Sequence, residues 1–162
     1  MSETAEIFPI VEILPAEAWK AAAADRVSLD YDGRRRRRIV LTGATGARYL
    51  LDLSETAHLR DGDALKLADG RLVEVEALAE PLLEVRAGSP EALLRLAWHI
   101  GNRHLAAAVF ADRILIRRDH VIAHMLEHQG ARVREVEAVF DPEGGAYHDH
   151  APHDHGPHDL GH

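Results

Sequence analysis

Short runs of alternating apolar and polar residues, separated by glycine turns, make up the first half of the chain. Val27, Leu29 and Tyr31 occupy every second position, which is the period of a strand with one buried face. Asp-Gly pairs favour tight hairpin turns. The pattern predicts turns at four places, namely Asp32-Gly33, Gly43 to Gly46, Asp61-Gly62 and Asp69-Gly70. It also predicts strands at 39–41, 49–53, 64–67 and 72–75. Residues 1–79 are therefore expected to form an all-β domain, with one short alanine-rich helix at 16–24.

From Pro81 onward the apolar period becomes that of a helix packed on strands. A strand at 82–86 is followed by Ser89-Pro90-Glu91, an N-cap, a proline and an acid that together begin a helix. This helix is expected to run to a break at Gly101-Asn102. The residues assigned to its apolar face are Leu93, Leu94, Leu96, Ala97 and Ile100. Two short strands are predicted at 107–110 and 114–116.

A second helix is predicted between Asp119, its N-cap, and Gly130, where it stops. Its apolar face is expected to contain Val121, Ile122, Met125 and Leu126. A final strand at 133–139 completes the order β-α-β-β-α-β, which is typical of a ferredoxin-like domain. The predicted fold class is therefore α+β, with the ferredoxin-like βαββαβ domain at 80–142.

Beyond Pro142 the chain consists mainly of Gly, Pro, His and Asp, which bury too little apolar surface to fold. Residues 143–162 are accordingly predicted to be a disordered, His-rich tail. Six of the twelve histidines of the chain lie there, namely His148, His150, His153, His155, His158 and His162. Imidazole is a good ligand for Ni²⁺, Cu²⁺ and Zn²⁺, so the tail is expected to bind several such ions loosely. A solvated tail or a purification tag is the alternative, but the Pro and Gly spacers are unlike a tag.

Composition and charge exclude several classes of protein. The 162 residues are enough for one domain or two small ones, and 46% of them are hydrophobic. The absence of cysteine excludes a disulfide scaffold, a thiolate nucleophile and a Cys-ligated metal. A net charge of −8 disfavours nucleic acid as a partner. No apolar run approaches the roughly 20 residues that cross a bilayer, and the first residues do not resemble a signal peptide, so we expect a cytoplasmic protein that binds no membrane.

Histidines in the folded part lie around the two predicted helices. His99 points away from the apolar face of the first helix, as an ordinary exposed histidine would. His104 follows the end of that helix, where it is either a capping residue or a metal ligand. On the second helix, His120, His124 and His128 are spaced by four residues, so adjacent pairs can chelate one ion. We expect this stripe to be a weaker accessory site.

The segment 124–128 also matches the H-x-x-E-H pattern of zinc peptidases. Such an enzyme needs a third protein ligand and a substrate cleft, and neither can be placed beside so short a helix. A zinc-dependent hydrolase is therefore the least favoured function.

Five consecutive arginines, 34–38, form the strongest run of charge. They are expected to be a solvated face of an edge strand or, failing that, a surface for an acidic protein partner. RNA and anionic membranes are weaker alternatives, because no aromatic stacking residues are interleaved with the arginines and the surrounding chain is acidic.

Taken together, these features resemble the UreE urease accessory proteins, a family of nickel metallochaperones. The likeness is carried by Gly-Asn-Arg-His at 101–104, Asp-His-Val at 119–121 with Met125-Leu126, Phe-Asp-Pro-Glu at 140–143, Gly-Ala-Tyr at 145–147 and the histidine tail. Leu-Arg-Asp-Gly-Asp at 59–63, Asp69-Gly70 and Glu80 extend it into the first domain.

The resemblance implies a peptide-binding domain followed by a metal-binding domain, and a non-enzymatic homodimer that forms through the second domain. It implies that His104 from each chain meets its copy near the two-fold axis to hold Ni²⁺, with Zn²⁺ or Cu²⁺ able to bind the same sites. His99 matches a histidine of some family members, and His120 lies in the Asp-His-Val motif. The implied partners are a UreG-like GTPase and the apo-urease assembly complex. General Ni/Zn storage or detoxification by the tail alone is the alternative function.

Overall fold

The computed structural model describes residues 6–144, and two β-sheets organise this part of the chain. The strands of the first sheet are β1 (Ile7–Leu14), β2 (Asp25–Leu29), β3 (Arg38–Thr42), β4 (Arg48–Asp52), β5 (Ala64–Leu67) and β6 (Leu72–Ala77). Their order across the sheet is β2-β6-β5-β1-β4-β3. Side chains from alternate positions, among them Val27, Leu41, Leu51, Leu65 and Val73, form its core. The predicted all-β character of this domain is confirmed.

Strand β1, which the sequence pattern did not predict, joins the two parts of this sheet. Its first residues, Ile7 to Pro9, pair in parallel with β4. From Ile10 onward it pairs antiparallel with β5, with a shift in register between Ile10 and Glu12. Because proline has no N–H to donate to a neighbouring strand, Pro9 is compatible with the point where the strand changes partner.

Two local predictions for this domain are wrong. The expected helix at 16–24 is a single 3₁₀ turn, Ala16–Ala18, since an isolated alanine run has no apolar face to pack. At Asp32-Gly33 the chain forms not a hairpin but a one-turn helix, α1 (Tyr31–Arg34), capped by the Asp30 carboxylate. The Asp69-Gly70 hairpin, by contrast, is confirmed between β5 and β6.

The second sheet contains β7 (Ala79–Arg86), β8 (Ala107–Val109), β9 (Ile114–Arg117) and β10 (Arg132–Val139), in the antiparallel order β10-β7-β9-β8. Helices α2 (Pro90–Asn102) and α3 (His120–His128) connect these strands. They pack on the sheet face that contains Leu83, Val85, Ile114 and Ile116. This is the predicted ferredoxin-like arrangement, so the α+β fold class is confirmed.

Two residues assigned to apolar helix faces are in fact on the surface. Leu94 in α2 is 70% exposed and Val121 in α3 is 63% exposed. The buried residues of α2 are Leu93, Leu96 and Ile100. Each helix therefore presents a narrower buried face than the sequence pattern indicated.

The arginine run is not uniformly solvated, because Arg34 is buried where the two sheets meet. Its side chain is 2% exposed. Its guanidinium donates to the carboxylate of Asp141 at 2.6 Å and to the backbone oxygens of Phe140 at 2.7 Å and Leu59 at 3.3 Å. Phe140 in turn meets the Tyr31 ring edge-on. The prediction of a solvated face is wrong for Arg34, which links the first domain to the end of β10.

The remaining arginines agree better with the expectation. Positions 36–38 are exposed, and Arg38 begins β3, which is the last strand at one edge of the first sheet. The predicted disorder of the tail falls almost entirely outside residues 6–144. In that range, no helix is both long and apolar enough to cross a bilayer.

Candidate metal-binding surface

His104 occupies an unusual backbone position directly after α2. The helix begins with Ser89, whose hydroxyl accepts the N–H of Ala92, and it continues through Gly101 and Asn102, where a break was predicted. The residue in the left-handed conformation lies two positions after Asn102. It is His104, which has a φ of 56°. Its N–H donates to the carbonyl of Gly101 at 3.0 Å.

Together with the following residue, His104 closes the helix in a Schellman motif. The N–H of Leu105 donates to the carbonyl of Ile100 at 3.4 Å, which is the second hydrogen bond of that motif. Glycine usually fills the left-handed position, since a side chain there costs about 1–2 kcal/mol. Within residues 6–144, His104 is the one non-glycine residue with positive φ. Such an outlier is a reason to look for a function of the side chain.

The side chain of His104 belongs to an exposed residue at the end of α2. His99, one turn earlier, is half-buried, and its ring meets the Trp98 indole edge-on at 5.2 Å between centroids. It lies outside the buried face of α2, as predicted, but it is not the fully exposed histidine that was expected.

An apolar stripe that the sequence analysis missed lies on the outer side of α2. Leu94 and Trp98, four residues apart, are 70% and 65% exposed. Large exposed apolar side chains that adjoin one another are typical of a protein contact surface. The spacing of four residues between Leu94 and Trp98 was visible in the sequence, but Leu94 was assigned to the apolar face with Leu93, Leu96, Ala97 and Ile100.

His120 is the first residue of α3 and is exposed. The Asp119 carboxylate caps this helix by accepting the N–H groups of Val121 at 2.9 Å and Ile122 at 3.1 Å. A shallow cavity of about 260 Å³ beside it is lined by residues that include His120, His124, Glu127 and Glu135.

One carboxylate of the second sheet is held by arginines and is not free to bind a cation. Glu84, on the opposite face of the second sheet, accepts hydrogen bonds from Arg86 at 2.8 Å and Arg134 at 3.2 Å. The Arg86 hydrogen bond and the charges of both arginines hold the pKa of Glu84 below its usual range, against the opposing effect of burial. Glu84 is therefore a structural anion.

The histidines do not assemble into a complete site within one chain. Among residues 6–144, no three His, Asp or Glu side chains come together in a way that would hold a metal ion. His99, His104 and His120 are thus single candidate ligands, and the six tail histidines lie outside the described residues. The zinc hydrolase alternative lacks a third ligand in this range of the chain.

Comparisons with known proteins identify the family. The sequence model of the UreE urease accessory protein N-terminal domain matches residues 10–78, and that of the C-terminal domain matches residues 80–162. Urease accessory protein UreE of Bradyrhizobium sp. (strain ORS 278) is 60% identical over 135 residues, which cover 83% of this chain. That match spans 64% of the relative, slightly less than two thirds of its length.

Other relatives are matched over more of their length. Urease accessory protein UreE of Beijerinckia indica is 49% identical over 86% of this chain and 84% of its own. The protein of the same name from Rhodobacter capsulatus is 48% identical over 86% of this chain and 91% of its own. The chain therefore belongs to the UreE family of urease accessory proteins.

Proposed function

We propose that this protein is a nickel-binding chaperone that delivers Ni²⁺ for assembly of the urease active site. The observation that carries the proposal is the left-handed backbone of His104 at the exposed end of α2. A glycine would close the helix there at lower cost, and a metal-binding role of the imidazole would account for the histidine. Imidazole nitrogen is a suitable ligand for Ni²⁺.

A single imidazole is a poor metal site, and a homodimer remedies this. In a two-fold symmetric contact each residue faces its own copy or a reciprocal partner, so His104 from two chains can bind one ion at the axis. Leu94 and Trp98 offer exposed apolar area on the same helix for such a contact. His99 lies beside Trp98 and would adjoin this contact. Tail histidines supply further ligands in the proposal.

Delivery requires that the ion leaves as readily as it arrives. Exposed imidazoles exchange their ion more easily than a buried cage of ligands, and the chain has no thiolates to build one. The recipients in this proposal are a UreG-like GTPase and the apo-urease assembly complex, in the cytoplasm. The protein itself binds and transfers its cargo and catalyses no reaction. His120 is proposed as a secondary ligand that binds the ion during its transfer.

Calorimetric titration of the full chain with Ni²⁺ tests the central assignment. His104→Asn removes the imidazole but retains a residue that tolerates the left-handed conformation. We expect it to weaken binding of the first ion by at least about tenfold, because both copies of the ligand are lost from the dimer. His58→Asn, the same change at an exposed histidine of the first domain, is the matched control and should leave that affinity unchanged. If His104→Asn binds the first Ni²⁺ ion as tightly as the parent protein does, the assignment is refuted.

Storage by the tail alone is distinguished by a second variant. Replacing the six tail histidines by alanine in the full-length chain should lower the number of ions bound while a tight ion remains. Loss of all nickel binding in that variant would favour storage or detoxification. Transfer to apo-urease, measured as urease activation at limiting Ni²⁺ with the GTPase present, tests delivery directly.

A further inference from the structure

One pair within the histidine stripe of α3 lies in contact. The ring centroids of His124 and His128 are 5.4 Å apart, and their planes are nearly perpendicular, at 88°. Both residues are exposed, and both lie on the same face of α3, one turn apart. Because α3 is held on the sheet by the buried Leu126, the two rings project from a rigid support.

We propose that His124 and His128 form a second divalent-cation site, separate from His104, in which two imidazoles of one helix clamp one ion. The site would bind ions of the Ni²⁺, Cu²⁺ and Zn²⁺ group, since these accept neutral imidazole nitrogen as a ligand.

The spacing of the two rings already matches that of two imidazoles on one metal. A bond of about 2.0–2.1 Å from metal to nitrogen places each ring centre about 3.2 Å from the ion. Two such rings at the tetrahedral angle have centres about 5.2 Å apart, and at a right angle about 4.5 Å apart. The observed 5.4 Å differs from the tetrahedral value by only a few tenths of an ångström. Both rings are therefore within reach of one ion, and in the proposed site rotation of the side chains directs one nitrogen of each ring to it.

The electrostatic surroundings favour a cation. Glu127 lines the same open surface depression of about 240 Å³ as the two histidines. His128 is the last residue of α3, so the partly negative carbonyl end of the helix lies beside the pair. The remaining coordination positions are open to water or to an incoming histidine, because no third ligating side chain joins the pair within residues 6–144.

A site with only two protein ligands is suited to binding an ion briefly and passing it on. Two imidazoles hold it less tightly than three or four ligands would, and the open positions admit a competing ligand. Its role as a station between the tail and His104 rests on the proposed function, whereas the binding itself does not.

The test uses the full-length chain with the six tail histidines replaced by alanine, so that they do not compete. Zn²⁺ is the probe, and the imidazole carbon-bound proton signals of the remaining histidines are followed by NMR. The signals of His124 and His128 should shift together with a single dissociation constant. His124→Ala and His128→Ala should each weaken this site at least about tenfold, because the helix holds the second imidazole at high effective concentration near the first. The double variant should lose the site altogether, because it retains neither ligand.

His120→Ala is the matched control, being the third histidine of the same stripe. It should change the dissociation constant less than about twofold. If His120→Ala weakens the site and His128→Ala does not, the ion bridges His120 and His124 and the proposal is wrong. It is also wrong if the two signals shift independently, or if each single variant retains the parent affinity. None of these results bears on the first ion at His104, so the two assignments fail separately.

Discussion

Helices α2 and α3 end with the same backbone structure but with different residues at its tightest point. After α3, Gly130 has a φ of 86° and donates to Glu127 at 3.0 Å, while Ala131 donates to Leu126 at 3.0 Å. After α2, His104 and Leu105 make the equivalent two hydrogen bonds. The fold thus requires a left-handed residue at both ends, and glycine is the least costly choice. The two helix ends therefore differ in that a histidine occupies the left-handed position after α2 and a glycine occupies it after α3.

The largest expected effect comes from the residues that anchor the two helix ends. Ile100 and Leu126 occupy equivalent positions, since each accepts the hydrogen bond from the residue that follows the left-handed one, and both are fully buried in one core cluster. Ile100→Ala and Leu126→Ala should each lower the free energy of unfolding by about 3 kcal/mol, through lost contacts and the cavity left behind. Urea denaturation monitored by circular dichroism measures both.

These two variants also separate the helix ends by function. Ile100→Ala loosens the turn that positions His104 and should weaken binding of the first nickel ion. Leu126→Ala should not, although it destabilises the fold to a similar extent. Equal nickel affinities in the two variants would show that the α2 end does not need to be rigid for metal binding.

A smaller effect is expected where glycine closes α3. Gly130→Ala should lower the free energy of unfolding by about 1 kcal/mol, because alanine disfavours a positive φ. Space is not the cause, since a Cβ at Gly130 would have no heavy atom within 4 Å. Thermal and urea denaturation provide the measurement.

Gly101→Ala is the control for that variant. Gly101 lies inside α2 with equally open space around its Cα, and alanine there should stabilise the protein by up to about 1 kcal/mol. If both Gly130→Ala and Gly101→Ala lower the free energy of unfolding, the backbone φ does not determine whether alanine stabilises or destabilises the protein.

The other ends of the helices give a comparable, smaller test. Ser89 caps α2 through one hydrogen bond, whereas the Asp119 carboxylate caps α3 through two. Ser89→Ala and Asp119→Ala should each cost about 1 kcal/mol, with Asp119→Asn close to the parent because it can still accept these bonds. Chemical denaturation of the three variants decides whether α3 depends more strongly on its cap. An equal loss in Asp119→Asn and Asp119→Ala would show that the charge, not the hydrogen bonds, matters.

Features that depend on a few neighbouring residues were predictable from the sequence. The caps Ser89 and Asp119, the stop at Gly130 and the Asp69-Gly70 hairpin are of this kind, and the βαββαβ order follows from them. Features that depend on distant partners were not. The parallel pairing of β1 with β4 and the burial of Arg34 against Phe140, 106 residues away, have no local signal.

The candidate site was predictable only in part for the same reason. The spacing of His124 and His128 follows directly from the helical period, so their contact was foreseeable. The left-handed conformation of His104 was not, because the sequence placed the break at Gly101-Asn102. Packing of Ile100 and Leu105 into the core carries the helix past that glycine, and the turn then falls on a histidine.

The substitution that makes the ends of α2 and α3 alike is expected to change stability the least, and it tests most directly why a histidine follows α2. His104→Gly should raise the free energy of unfolding in the metal-free protein by about 0.5–1 kcal/mol, since glycine relieves the left-handed strain while adding some entropy to the unfolded chain. The same variant should lose the first nickel ion in a calorimetric titration. Urea denaturation in the presence of a chelator measures the stability, with His104→Asn expected between the parent and glycine. Higher stability with lost nickel binding would show that the imidazole is kept at a cost to the fold. A lower stability would instead mean that contacts of the His104 side chain outweigh the strain, and that folding alone accounts for a histidine where α3 has a glycine.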